Sequence, residues 1–175
     1  MVTQNSMKSQ DIVVALKIAV SLKENFTYSI AGSSLGLSAS RVHASVQMLA
    51  ASRLAVGNTR EGITINRARL LELIIYGVPY FFPPVIGGPT RGVPTISGLQ
   101  EMKEQFVASE ESNYVWPDAN GEGRGYALAP LHSCVLKAIR GDEELYRTLM
   151  AVDVLRVGSA RERDFAVNLL RKMLA

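Results

Sequence analysis

Apolar residues recur along the start of the chain with a helical period. Between Ser9 and about Lys23 the positions Ile12, Val13, Leu16, Ile18, Ala19 and Leu22 cover a broad face, and Ser9 is placed to cap this helix. Thr27 is the next cap, ahead of YSIAGSSLG, and Gly36 supplies the break. Ser38 then caps a helix over ASRVHASVQMLAAS, whose Val42, Val46 and Leu49 share one face. Two β-prone runs, Leu54–Val56 and Ile63–Ile65, flank a polar loop and predict a hairpin. A strongly apolar helix follows from about Ala68 to Tyr76, ended by Gly77 and Pro79.

The pattern then changes. Residues Pro79–Gly98 hold five of the seven prolines together with several glycines, which argues against a regular helix or a central strand. Tyr80, Phe81 and Phe82 predict that this irregular segment packs on a surface. Leu99–Ala108 has a helical pattern, and YVWPDANGEGRGYALAP reads as extended and turn-rich, with Trp116 anchoring it to the core. Helical periodicity returns at the end. Pro130 opens a helix to about Arg140, closed by Gly141. Asp142 caps ELYRTLMAVDVLRV, and Ser159 with Glu162 forms a capping box for ARERDFAVNLLRKML. The stripes Leu145, Leu149, Val152, Leu155 and Phe165, Leu169, Met173 need a partner, either this chain's own core or a second copy.

The predicted fold is therefore mainly α with a small β-hairpin. Residues 9–78 form an N-terminal unit, 79–129 an irregular Pro/Gly-rich segment, and 130–175 a helical dimerisation or partner-binding region.

Composition narrows the function classes. The longest apolar stretches, such as Ile12–Val20, are short and carry Lys17, so no membrane span is expected. The polar start MVTQNSMKSQD lacks the regions of a signal peptide, and a cytoplasmic location is expected. One cysteine and two histidines leave no disulfide framework within one chain and too few ligands for a Cys/His zinc site. Neither metal nor cofactor is expected. The net charge of +3 divides into +4 for residues 1–60 and −1 for the remainder, so phosphate-binding potential lies in the first third.

The segment IAGSSLGLSASRVHASVQML carries the most specific signal. A helix-turn-helix needs a small residue where its helices cross, a glycine at the turn and apolar residues locking the pair. Gly32, Gly36 and the set Leu35, Leu37, Val42, Val46, Leu49 meet these needs. With GLSASRV at Gly36–Val42 and the hairpin at Leu54–Asn66, the chain resembles winged helix-turn-helix transcriptional regulators of the broad MarR-like and Crp-like bacterial kind. The resemblance covers about residues 10–66. It implies that Ser38, Ala39, Ser40, Arg41, His43, Ala44 and Gln47 face the major groove of double-stranded DNA. Arg41 would read guanine edges or hold phosphate, and Gln47 would pair with adenine. In the wing, Asn58, Thr59 and Arg60 would approach the minor groove or the backbone. The chain departs from the family with Ala44, where arginine is common, and with Gly32 in place of the usual alanine. A homodimer would double the phosphate contacts of this thinly charged helix.

Other features carry weaker readings. Cys134, within LHSCVLKAI, is expected to be a buried small hydrophobe, and His132 to be structural. GGPTRG and GEGRG lack the spacing of a P-loop or a dinucleotide fingerprint. Arg91 and Arg124 sit in similar turn-forming surroundings. They either staple the irregular segment by donating to backbone carbonyls or contact an anion or a partner. No catalytic constellation stands out. The expected function is thus a homodimeric DNA-binding regulator of repressor type and not an enzyme. The alternatives are an antitoxin or adaptor binding a partner protein through its C-terminal half, and a small enzyme or sensor holding an anionic ligand near Arg91 and Arg124.

Overall fold

The computed structural model of the chain describes residues 6–22, 26–58, 62–106 and 113–175. Among these the fold is mainly helical. It begins with α1 (Ser9–Val20), α2 (Tyr28–Leu35), α3 (Ala39–Ala51), the antiparallel hairpin β1 (Ala55–Asn58) and β2 (Gly62–Ile65), and α4 (Arg67–Tyr76). A short α5 (Val78–Phe81) leads to β3 (Ile86–Pro94), a 3-10 turn at Ile96–Gly98 and α6 (Gln100–Gln105). The chain closes with β4 (Tyr114–Pro117), β5 (Gly123–Leu128), α7 (Val135–Ala138), α8 (Glu143–Val157) and α9 (Ala160–Met173). No helix among the described residues is long and apolar enough to cross a membrane.

The centre of the molecule is α1, in which every residue from Asp11 to Val20 is buried. Such a helix is apolar nearly all round because it has neighbours on every side. It packs against α3 and β2 on one side and α8 on another. One continuous apolar cluster therefore runs from Ile12 to Leu174. The α8 stripe finds its partner here, with Leu145, Leu149, Val152 and Leu155 buried within this chain, whereas Phe165, Leu169 and Met173 of the α9 stripe are half-buried and α9 buries Ala166 and Leu170 instead. Lys17, buried on α1, holds Asp142 Oδ2 at 2.5 Å. Asp142 also accepts from the Leu145 amide at 3.0 Å and so caps α8, joining a helix start to the middle of α1.

Several local expectations need correction. Lys8, and not Ser9, occupies the cap of α1; the Asp11 carboxylate accepts the Lys8 amide at 2.8 Å. Pro79 opens α5 instead of ending all helix, because a first-turn residue has no helical N–H bond to lose. Only Val135–Ala138 is helical within the expected span Pro130–Arg140. There the Cys134 amide donates to His132 Nδ1 at 3.2 Å, which postpones the helix. Tyr80 and Phe81 do not pack down: they are 78% and 75% exposed, whereas Phe82 is half-buried. Ala108 lies outside the described residues, and α6 ends at Gln105.

The largest correction is the Pro/Gly-rich segment. It contains β3, a strand paired along both edges, antiparallel with β4 and with β5. Tyr114 and Val115 pair in parallel with Tyr126 and Ala127, so each strand meets the other two in a tightly coiled ring. The prolines fit because of where they fall. Pro89 follows an irregularity in the register and Pro94 is the last residue, positions that tolerate a missing donor. The glycines make the curl itself. Gly92 faces both Pro117 and Gly123, and a Cβ there would stand 2.1 Å from the Trp116 carbonyl oxygen.

This ring is tied to α8 by one buried cluster. Asp153 accepts from Trp116 Nε1 at 2.6 Å, from Thr95 Oγ1 at 3.0 Å and from Arg156 at 2.7 Å. Arg156 then donates to the carbonyls of Phe82 at 3.0 Å, Ala129 at 3.2 Å and Pro83 at 3.3 Å. Burial pushes the Asp153 carboxyl up, while Arg156, Trp116 and Thr95 pull it back toward the charged form.

Two outcomes follow. Asp153→Ala leaves the Arg156 guanidinium buried without its counter-charge and is expected to cost about 3–5 kcal/mol in urea unfolding; a loss below about 1 kcal/mol contradicts the role given to the cluster. For Asp142, burial raises the carboxyl, but hydrogen bonds from Lys17, Ser21 and the Leu145 amide outweigh it and hold the group below its ordinary value. A depressed carboxylate contributes stability that is present above the unfolded-chain value of about pH 4 and lost as pH falls through the folded value. Thermal unfolding followed into acid should show this loss, and Asp142→Asn should flatten it.

Candidate nucleic-acid interface

The unit formed by α2, α3 and the hairpin is built by local rules. Thr27 caps α2, its Oγ1 accepting the Ile30 amide at 3.1 Å. The helix ends in Gly36, whose φ of 68° lies in the left-handed region that glycine enters without a steric penalty. The Leu37 amide donates to the Gly32 carbonyl at 2.9 Å, and a Cβ on Gly32 would stand 2.6 Å from the Leu37 carbonyl oxygen. A bare Gly32 is what lets the turn fold back so closely. Ser38 Oγ accepts the Arg41 amide at 3.3 Å and starts α3.

Burial then divides α3. Val42, Ser45, Val46 and Leu49 face inward, and Ser45 accepts from Gln10 Nε2 on α1 at 2.9 Å. Ser38, Ala39, Ser40, Arg41, His43, Ala44 and Gln47 are all exposed. At 100° per residue the centre of the outward face is Ser40, Ala44 and Gln47. Small side chains at two of these positions permit close approach to another surface, and Gln47 projects beyond them. The hairpin pairs Ala55 with Ile65, Val56 with Thr64, Gly57 with Ile63 and Asn58 with Gly62. Ile63 and Ile65 are buried while Val56 is exposed, so one face rests on the core. Thr59 and Arg60 lie outside the described residues.

The two flanks of α3 differ. On one, His43 meets the Tyr28 ring edge-to-face at 5.0 Å, and Tyr28 meets Phe26 at 5.5 Å. On the other, Arg41 and Met48 border an open groove of about 860 Å³ shared with Lys8, Gln10, Asp11 and His132. Burial and the positive charge of Arg41 push His132 below the ordinary histidine value, with Asp11 opposing. The amide donated by Cys134 to its Nδ1 also favours the neutral ring. Lys8 and His132 are the residues that sequence reasoning does not place beside α3. His132 is about ninety positions from Arg41, and no local pattern connects them.

Arg91 and Arg124 are brought together: they are direct cross-strand partners on β3 and β5. Arg91 Nη1 donates to the Gly121 carbonyl at 3.2 Å, as a staple would. Arg124 is exposed, and its backbone carbonyl accepts from Asn113 Nδ2 at 2.8 Å. Arg156 is a second staple, reaching three carbonyls at the ends of the irregular segment. Cys134 is buried, and burial pushes its thiol up to about 11, far from the range of an activated nucleophile. Among the described residues no three histidine, cysteine or acidic side chains are grouped to hold a metal ion.

Substitutions in the turn read its geometry directly. Ser38→Ala is expected to cost about 1 kcal/mol through the missing cap. Gly36→Ala should cost about 1 kcal/mol through its left-handed backbone. Gly32→Val should cost more than either, since it drives α2 away from the turn. Chemical denaturation measures all three, and a neutral Gly32→Val contradicts the close contact described.

No protein-family model, no curated protein and no solved structure matches the chain.

Proposed function

We propose that the chain is a double-stranded-DNA-binding transcriptional regulator of winged helix-turn-helix type, acting in the cytoplasm as a homodimer. The observation that carries this reading is α3: a capped helix with Ser40, Ala44 and Gln47 centred on its exposed face, followed by a hairpin at wing distance. Ser38 and Ser40 suit phosphate contacts, Arg41 suits guanine or phosphate, and Gln47 suits adenine. Lys8, bordering the same groove as Arg41, adds a second cation for the backbone on that flank. Asn58, Thr59 and Arg60 would follow the minor groove or the adjacent phosphates.

The charge on one unit is small, so affinity depends on pairing two units and on low ionic strength. A mobility-shift titration on the DNA upstream of the coding sequence, at two salt concentrations, tests this. Binding should weaken at the higher salt. Arg41→Ala, if the side chain holds phosphate, should weaken binding to all sequences and reduce the salt slope by about one for each phosphate no longer neutralised. Gln47→Ala should narrow the difference between specific and random duplexes by about 1–3 kcal/mol. Absence of binding to any duplex at low salt contradicts the proposal.

A further inference from the structure

The α8 stripe is buried in the chain's own core and the α9 stripe is half-buried, and the most exposed large apolar side chains among the described residues lie elsewhere. Tyr76 is 69% exposed, and Tyr80, Phe81, Val85 and Ile86 join it in one continuous stretch of chain at the end of α4, through α5 and into β3. Exposed large apolar side chains gathered in this way mark an interaction surface. Beside them runs an open groove of about 960 Å³ along α4, bordered by Arg53, Leu54, Arg69, Leu73, Tyr76 and Phe81.

The groove has two unlike ends. Arg53 and Arg69 stand at one, Tyr76 and Phe81 at the other, with Glu72 between them. Arg69, Glu72, Leu73 and Tyr76 share one face of α4 at spacings of three and four. Arg69 and Glu72 form no ion pair among the described residues. Arg53 has a φ of 58°, the one positive value at a non-glycine among the described residues, and its carbonyl is held by Arg69 Nη1 at 3.3 Å. A cation is thus kept at a backbone position that glycine fills with less strain.

We infer that this face is a two-fold interface with a second copy of the chain, formed by antiparallel packing of α4 on α4 about an axis between Glu72 and Leu73. A two-fold interface must be complementary to itself. Such an axis lays the aromatic end of each groove on the cationic end of the other. Arg69 then lies over Tyr76 of the second copy and diagonal to its Glu72, where a cation meets both a ring face and a carboxylate. Tyr76 and Phe81 are the rigid aromatic anchors on which protein interfaces concentrate their binding energy. The DNA reading calls for a pair without saying where it forms; the α4 interface stands on the groove and not on DNA.

Sedimentation of the full chain without DNA tests it. The chain should be a dimer at concentrations up to about 100 µM, and Tyr76→Glu, Phe81→Glu and Arg69→Glu should each weaken association by about tenfold or more, whereas Tyr76→Phe should not. Circular dichroism confirms that each variant is folded. Glu72→Cys, next to the axis, should form a disulfide-linked dimer under mild oxidation, and Gln47→Cys on α3 should not; the buried Cys134 does not interfere. A monomeric wild type, a groove occupied only by a different protein, or a dimer indifferent to both glutamate substitutions at Tyr76 and Phe81 overturns the assignment. A dimer that binds no duplex would leave this interface standing and remove the DNA reading instead.

Discussion

A carboxylate shut away from water must find its hydrogen bonds inside the protein, and Asp153 finds them on three separate parts of the chain. Trp116 reaches it from β4, Thr95 from just beyond β3, and Arg156 from one turn further along α8. Arg156 carries the same logic outward to the carbonyls of Phe82, Pro83 and Ala129. Those carbonyls lie just before β3 and just after β5. A proline-rich stretch supplies few N–H donors of its own, so its carbonyls need donors from elsewhere. One Asp–Arg pair on a buried helix thereby fixes where the coiled sheet sits and how its ends enter and leave.

The second constraint is α1. Because it is buried along nearly its whole length, the helices that form the candidate DNA-binding unit and the helices at the end of the chain share one core. The Lys17–Asp142 pair anchors the start of α8 to α1, and the Gln10–Ser45 bond anchors α3 to it. The orientation of α3 is thus set by contacts reaching into the last third of the chain. The same arrangement carries His132 to the flank of α3. Burial of the α8 stripe leaves α4 and α5 with the exposed aromatic surface, which is why pairing is assigned there.

What can be read from the sequence follows the range of the interactions involved. The caps Thr27, Ser38, Asp142 and Ser159 with Glu162 and the breaks at Gly36 and Gly141 act over three or four residues, and α2, α3, α8 and α9 are found where those signals put them. The exposed residues of α3 follow from its period. By contrast, β3 depends on partners more than twenty residues away, and its prolines give a local signal against a central strand that the register accommodates. Local pattern puts the cap of α1 one residue late, because a carboxylate three positions on, and not a hydroxyl, satisfies the first amide. An arginine staple is foreseeable in kind at Arg91 and Arg124, whereas Arg156 carries most of it. Its sequence neighbourhood is an ordinary helix, and only the fold brings the orphan carbonyls to it.

Function, on this reading, rests on the outward face of α3 and the hairpin meeting duplex DNA. Amide chemical shifts of the nitrogen-labelled chain, followed while duplex from its own upstream region is added at low salt, test it most directly. Changes should concentrate at Ser38–Gln47 and along the hairpin, and should fade as salt is raised. A spectrum that does not change, or changes centred on the Arg91 and Arg124 rung with α3 silent, would contradict it.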